Sequence, residues 1–251
     1  MKLTTGRIIS TERLFGSTFL TWLRAPALVP GASPGRFLMF RLPGGPLLPR
    51  PMSYHRVRPN GEVAILYQVV GKATALLSEQ PAGAEVLLWG PLGHGFSVRP
   101  SAQNLLLVAG GMGAAPLVWL AEESVAKGRN VTLIMGARGA ETLPPPDLFP
   151  PQVELINVTE DGSAGRQGLA TAAFEELLPW ADQVFTCGPS AMYESMAAVV
   201  RRLRSRKPVQ VLLETPMACG MGLCYGCAVE TRQGIRQVCH DGPRFELRDV
   251  F

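Results

Sequence analysis

At 251 residues, with 47% apolar and 18% charged side chains, the chain has material for two ordinary domains and a sizeable core, and its composition excludes disorder. The net charge of +4 is mild, and the basic group Arg201, Arg202, Arg204, Arg206 and Lys207 lacks interleaved aromatics, which speaks against a nucleic-acid-binding protein. No apolar h-region opens the chain, and its longest uncharged run, 100–121, is broken by Gly110, Gly111, Gly113 and Pro116, so a cytoplasmic protein without signal peptide or membrane span is expected.

From residue 3 to 98 the chain reads as short β-rich runs at 4–10, 18–23, 36–41, 53–57, 63–69 and 85–89. Turn residues such as Pro30-Gly31, Pro43-Gly44-Gly45 and Pro59-Asn60-Gly61 separate them. Strands so spaced predict a small antiparallel barrel, with one helical piece at 72–78. Three short stretches in it carry chemistry. In Arg50-Pro51-Met52-Ser53-Tyr54 the arginine suits two parallel hydrogen bonds to a pyrophosphate, and the serine suits a ring nitrogen. Alternation along a strand would separate those two contacts, although an ordinary strand also reads this way. Leu66-Tyr67-Gln68 and then Gly71-Lys72-Ala73-Thr74 follow, the latter opening the short helix where free N–H groups favour a phosphate. Gly90-Pro91-Leu92-Gly93-His94-Gly95-Phe96 closes the barrel, and His94, with no carboxylate in sight, reads as incidental.

The character changes near 99–103. Residues 105–109 are continuously apolar, as in a strand buried on both faces, and lead into Gly110-Gly111-Met112-Gly113 and a helix over 116–127. Pro116 fits that helix's first turn. Strands at 131–135, 153–158, 184–186 and 209–213, with helices at 169–178 and 191–204, predict a parallel sheet. Glycines at the end of its first strand permit a nucleotide's phosphates to approach the helix, though the motif is not G-x-G-x-x-G. Cys187-Gly188-Pro189 lies at the same sheet edge, where Cys187 alone would be an ordinary buried thiol. Asp161 follows the third strand and suits a ribose hydroxyl or a solvated turn.

Four of the five cysteines fall in the last 38 residues as Cys219-x4-Cys224-x2-Cys227 with Cys239 beyond. That spacing matches the plant-type [2Fe–2S] pattern. A four-thiolate zinc ion is the competing reading, but zinc ribbons present two C-x2-C pairs and only one stands here. Gly220, Gly222 and Gly226 are expected to take positive φ and turn backbone N–H groups toward the cluster. His240 reads as a bystander, since a mixed histidine site needs a second histidine nearby. Four thiols at ligand spacing fit a reducing compartment.

The order of these motifs resembles the ferredoxin–NADP reductase superfamily: Arg-Pro-x-Ser, Gly-Pro-Leu-Gly-x-Gly-Phe, Gly-Gly-x-Gly-x-x-Pro, Cys-Gly-Pro, then the cysteines with Val-Cys-x-Asp-Gly-Pro. Within it the chain is similar, over nearly its whole length, to the electron-transfer subunits of class 1B dihydroorotate dehydrogenase. The resemblance implies an FAD-binding antiparallel barrel at 1–100, a parallel-sheet NAD-binding α/β domain at 101–213 and a [2Fe–2S] segment at 214–251. It implies FAD contacts from Arg50, Pro51, Met52 and Ser53, from Leu66, Tyr67 and Gln68, and from Ala73 and Thr74, with Ser53 near the flavin ring and no certain acid–base residue. It implies cluster ligation by Cys219, Cys224, Cys227 and Cys239, and NAD(H) visiting Gly110, Gly111, Gly113, Cys187, Gly188 and Pro189.

The implied partner is an FMN-containing catalytic subunit of pyrimidine biosynthesis that oxidises dihydroorotate to orotate, in a heterotetramer of two of each chain. Electrons would cross singly through the cluster to FAD and on to NAD+. Some positions depart from the family pattern: Ala73 for a common glycine, Gln68 for an arginine, His94 for an asparagine and Arg244 for an apolar residue. The interval from Cys227 to Cys239 is also short. Two other readings stand beside this one. One is a related FAD and [2Fe–2S] diaphorase subunit serving a hydrogenase or an NADH-dependent ferredoxin oxidoreductase, and the other is a non-catalytic zinc-binding scaffold. No motif separates NAD from NADP.

Overall fold

The computed structural model describes residues 1–251. Its first sheet contains β1 (Lys2–Phe15), β2 (Thr18–Arg24), β3 (Phe37–Arg41), β4 (Arg50–Ser53), β5 (Arg56–Arg58), β6 (Glu62–Gln68) and β7 (Glu85–Leu92), with α1 (Lys72–Ser78) between the last two. All pairings are antiparallel, in the order β4-β3-β7-β1-β2-β6-β5. The two edges, β4 and β5, are separated in the chain by only Tyr54 and His55. Tyr54 N donates to Arg36 O at the start of β3 and His55 N donates to Ala64 O in β6, each at 3.0 Å. One sharply bent strand therefore joins both edges and rolls the sheet into the expected barrel. The run expected at 53–57 is broken at this bend. Ile8, Leu23, Leu38, Phe40, Ile65 and Leu88 fill the interior, and α1 plugs it with Ala73 and Leu77.

The second sheet is built from β8 (Asn104–Gly110), α2 (Ala114–Ala126), β9 (Asn130–Ala137), β10 (Glu154–Thr159), β11 (Arg166–Gln167), α3 (Ala170–Leu177), β12 (Gln183–Cys187), α4 (Ser190–Arg202) and β13 (Val209–Leu212). After the hairpin β14 (Ala228–Thr231) and β15 (Gly234–Gln237), β16 (Arg244–Glu246) adds an antiparallel edge and α5 (Leu247–Val250) ends the chain. The order is β11-β10-β9-β8-β12-β13-β16, parallel from β11 to β13. The apolar run of β8 serves both layers. Leu105, Leu107 and Ala109 pack under α2, while Leu106 and Val108 pack with Phe174 of α3 and Met196 of α4. Each such leucine, fully buried, contributes about 1.5–3 kcal/mol.

Strand order reverses at β8, whose neighbours are β9 and β12, and ligands of open parallel sheets bind outside the carboxyl ends of the strands at such a point. Gly110 ends β8 and Cys187 ends β12. The cysteine segment is tied to both sheets. Trp89 Nε1 of β7 donates to Cys219 O at 3.2 Å, His94 N to Gly242 O at 2.6 Å and Leu213 N to Pro243 O at 2.8 Å. The Asp-Gly-Pro run is thus a clasp between the barrel turn and β13, and His94 serves it through its backbone. No helix is long and apolar enough to cross a membrane.

Candidate cofactor and nucleotide sites

Two cavities, each of about 540 Å³, meet at the junction of the sheets. The first is lined on the barrel by Pro51, Met52 and Ser53 of β4, by Leu66, Tyr67 and Gln68 of β6, and by Val70 and Thr74. Its far wall is Met112, Ala115, Pro116 and Cys187, followed by the chain from Leu212 to Met217. Seven of the nine residues expected to touch flavin thus share one cavity. Ala73 does not line it, because its side chain packs into the barrel core. Arg50 stands half-buried beside it with Nη1 donating to Leu48 O at 2.9 Å and Pro49 O at 3.2 Å.

The Thr74 hydroxyl is engaged locally. It accepts from Val70 N at 3.0 Å and Gly71 N at 3.2 Å and donates to Gly71 O, so it shapes the turn that opens α1. The helix's first backbone bond, Ala75 N to Gly71 O, leaves the N–H groups of residues 72–74 in the unpaired first turn. A concave surface of apolar side chains with a hydroxyl and an amide converging on it fits a flavin.

The second cavity lies at the carboxyl edge of the parallel sheet. Gly110, Gly111 and Pro189 line it, together with Met112, Ala114, Arg138, Glu141 and Glu160 and the tip of the β1–β2 hairpin at Phe15 to Thr18. Gly113, Cys187 and Gly188 are not in its lining: the two glycines set how closely β8 and β12 approach, and Cys187 faces the first cavity instead. Cβ atoms built at Gly110 and Gly188 would lie 2.7 Å from Pro189 Cδ and 3.1 Å from the Gly110 Cα, and one at Gly113 would overlap the Cys187 carbonyl. Gly188 N donates at 2.8 Å to the Tyr193 hydroxyl, which donates onward to Leu212 O at 2.6 Å, fixing the Cys-Gly-Pro turn. Asp161 is occupied by Ser163, accepting from its N–H at 2.9 Å and its hydroxyl at 2.6 Å. Those bonds, the hydroxyl's first, hold its carboxyl below the usual range.

Glu214 lines the first cavity beside Cys187, and no motif pointed to it. Its carboxylate accepts from Cys187 Sγ at 3.8 Å and reaches solvent through the first cavity. The protein crowded around it pushes the carboxyl up, and burial followed by the Glu214 charge pushes the Cys187 thiol up. Both groups are therefore held toward their protonated forms beside the cavity.

Beyond Glu214 the chain enters the cysteine loop. Met221 N and Leu223 N each lie 3.4 Å from Cys219 Sγ, Gly222 N lies 3.2 Å from Cys239 Sγ, and Cys239 N lies 3.4 Å from Cys227 Sγ. Gly220 and Gly222, at φ 70 and 80, turn the loop so that these N–H groups face sulfur. The third left-handed residue is Tyr225, at φ 57, and not Gly226 as expected. Burial raises the Cys219 thiol, but the N–H groups of Met221, Cys224 and Leu223 outweigh it and bring it down to about 6. Cys239 is pushed up to about 12 by burial and then by the Cys227 sulfur.

The Cys219 side chain is hydrogen-bonded with that of Cys224 and the Cys239 side chain with that of Cys227, and the Cys219 charge also acts on Cys239. Two pairs cradled by N–H donors fit a cluster of two irons, each taking two thiolates.

The family model described as the iron–sulfur cluster binding domain of dihydroorotate dehydrogenase B matches residues 214–251. The chain is 33% identical over 250 residues to the dihydroorotate dehydrogenase B (NAD(+)) electron transfer subunit of Desulforamulus reducens, covering 96% of this chain and 95% of that one. It is also 33% identical to that of Caldanaerobacter subterraneus subsp. tengcongensis, covering 98% and 97%. Among solved structures, a chain of the NADH-dependent reduced ferredoxin–NADP oxidoreductase superposes with a TM-score of 0.86 at 30% identity, covering 98% of this chain and 89% of that one. Phthalate dioxygenase reductase shares the fold at 18% identity and a TM-score of 0.70, covering 91% and 86%.

Proposed function

This chain belongs to the family of dihydroorotate dehydrogenase B electron transfer subunits, and we propose that it passes electrons between an FMN-containing catalytic partner that oxidises dihydroorotate and NAD+. FAD, when bound, exchanges hydride with nicotinamide and single electrons with an iron–sulfur cluster. The observation that carries the reading is the continuity of the cavity wall with the cysteine loop. Met217 lines the flavin-shaped cavity and Cys219 is two residues on, so their Cα atoms are no more than about 7 Å apart.

In this reading Pro51, Met52, Ser53, Leu66, Tyr67, Gln68 and Thr74 hold the flavin, with Arg50 at its pyrophosphate and Ala73 supporting from the barrel core. Cys219, Cys224, Cys227 and Cys239 ligate the cluster. Gly110, Gly111, Gly113, Cys187, Gly188 and Pro189 form the edge that NAD(H) visits. The units are residues 1–100, 101–213 and 214–251, and the assembly is cytoplasmic with two copies of each subunit. Exposed Leu223 and Tyr225 flank exposed Cys224 and give the partner an apolar surface beside the cluster.

Charge in the second cavity bears on NAD against NADP. Glu141 and Glu160 line it at the carboxyl ends of β9 and β10 with Arg138 the one cation beside them, a net negative wall that disfavours a 2′-phosphate. The expected kcat/KM for NADH exceeds that for NADPH by about 10-fold or more, and E141Q combined with E160Q narrows the gap. Equal use of both nucleotides by the unsubstituted protein would contradict this.

The function is tested by purifying the tagged protein from its own cells and assaying what elutes. A yellow-brown complex with an FMN-bearing partner that turns over dihydroorotate with NAD+ is expected. The likeness to the ferredoxin–NADP oxidoreductase chain supports a second reading, a diaphorase subunit with another partner. The same colour with a different oxidoreductase attached would select it.

A further inference from the structure

Between the flavin-facing strand and the nucleotide edge lies a buried polar group that the electron path does not use. His55, fully buried, follows Ser53 by two residues at the bend between β4 and β5. Its Nδ1 donates to Ala115 O in the first turn of α2 at 2.8 Å, and its Nε2 accepts from Arg56 Nη1 at 2.9 Å. Both partners have fixed roles, a carbonyl that only accepts and a guanidinium that only donates, so the neutral Nδ1–H tautomer is required. Burial, and then the Arg56 charge, hold His55 down to about 4, which keeps it neutral. Arg56 also donates through Nε to Glu122 Oε1 of α2 at 2.6 Å and through Nη2 to Leu148 O at 2.7 Å. The barrel's bend therefore grips α2 and the loop after β9 together.

What this grip holds is the wall between the two cavities. Ala115 lines the flavin cavity, Ala114 lines the nucleotide cavity and Met112 lines both. Apolar contact already docks the two units, since Trp119 of α2 is buried in the barrel core with its ring 6.5 Å from that of Tyr54. Such contact is non-directional, whereas the His55 and Arg56 bonds fix where along the barrel the first turn of α2 stops. We propose that His55 and Arg56 are positioning residues for hydride transfer, setting the register of α2's first turn, and so of the nucleotide edge, against the flavin strand β4. The inference rests on the flavin and nicotinamide assignment made above. Hydride transfer needs the reacting atoms about 3–3.5 Å apart, and a displacement of about 1 Å costs on the order of 100-fold in rate.

The test is anaerobic stopped-flow reduction of the purified, FAD-loaded and iron-loaded protein by NADH. H55L removes both bonds, H55N restores a donor for Ala115 O, and E122Q loosens Arg56 from its half-exposed side. H55L is expected to lower the limiting rate of flavin reduction by about 10-fold or more while half-saturation by NADH changes less than about 3-fold, with H55N recovering most of the rate and E122Q losing about 3-fold. A limiting rate within about 2-fold of the unsubstituted protein for both H55L and E122Q, at full flavin content, would overturn the proposal. If H55L does not retain flavin, an unchanged limiting rate in both E122Q and R56K overturns it equally. Failure of NADH to reduce the unsubstituted protein would instead remove the functional assignment on which the inference stands.

Discussion

Replacing Cys224 by serine is expected to yield a protein whose flavin NADH still reduces but which no longer takes electrons from its catalytic partner. Cys224 is exposed at the loop tip, whereas Cys227 and Cys239 are each 2% exposed and belong to the core shared with α3 and α4. Losing the Cys224 sulfur therefore removes a proposed cluster ligand without opening the core. The first cavity, with β4 and β6 on one side and α2 on the other, does not include it. The partner-linked rate should fall by about 100-fold or more, while NADH oxidation with an artificial acceptor that takes electrons from flavin stays within about 2-fold. Equal loss of both activities would show that flavin and cluster do not work in series as separable carriers. Cys227→Ser gives a contrasting result, because exchanging a core sulfur for a smaller and more polar hydroxyl adds a stability loss of about 0.5–3 kcal/mol to the loss of the cluster.

Gly113→Ala should damage the nucleotide side instead. Gly113 has ordinary helical backbone, φ −58, so the substitution strains no torsion. The obstacle is space: the added methyl would occupy the position of the Cys187 carbonyl, with Gly188 N also 3.0 Å away, and both contacts are backbone. Neither can rotate aside, so the carboxyl ends of β8 and β12 must separate at the point where strand order reverses. Overpacking of this kind costs about 1–3 kcal/mol, and NADH half-saturation should rise by about 10-fold while FAD content is retained. Thermal unfolding and NADH titration of the holoprotein measure the two effects, and unchanged values in both would contradict the role given to this contact.

How much of this was legible in the sequence varied with how local the cause was. The α1 helix at 72–78 and the apolar run of β8 are present as expected, because each follows from its own residues: a glycine and threonine opening a short turn, and five residues with no polar atom to expose. The cysteine spacing was legible for the same reason. Elements set by distant partners were not. The extension of β1 to Phe15 passes through Glu12 and Arg13, which no burial pattern marks, and it exists because β2 pairs along that whole length. The bend at Tyr54-His55 is imposed by the two edges it joins, Arg36 on one side and Ala64 on the other.

Candidate site residues divide in the same way. Pro51 to Ser53 and Leu66 to Gln68 were each legible as a short run, and they lie together because the bend at Tyr54-His55 closes the barrel and brings β4 against β6. Glu214, Arg138, Glu141 and Glu160 reach their cavities only through the order of the strands in the second sheet, which no short motif encodes. Gly226 was assigned positive φ for being a glycine, but the loop places that conformation one residue earlier, at Tyr225. The Asp-Gly-Pro run is explained by its clasp on His94 and Leu213, contacts with residues far away in the sequence.

The central claim, that one chain couples nicotinamide to a two-iron cluster, is tested most directly by anaerobic titration of the purified protein with NADH. Flavin absorbance and the electron paramagnetic resonance signal would be followed together, with iron and zinc counted in the same sample. The account predicts iron without zinc, bleaching of the flavin, and the growth of a reduced [2Fe–2S] signal as NADH is added. Zinc in place of iron, or flavin bleaching with no cluster signal in an iron-replete sample, would contradict it.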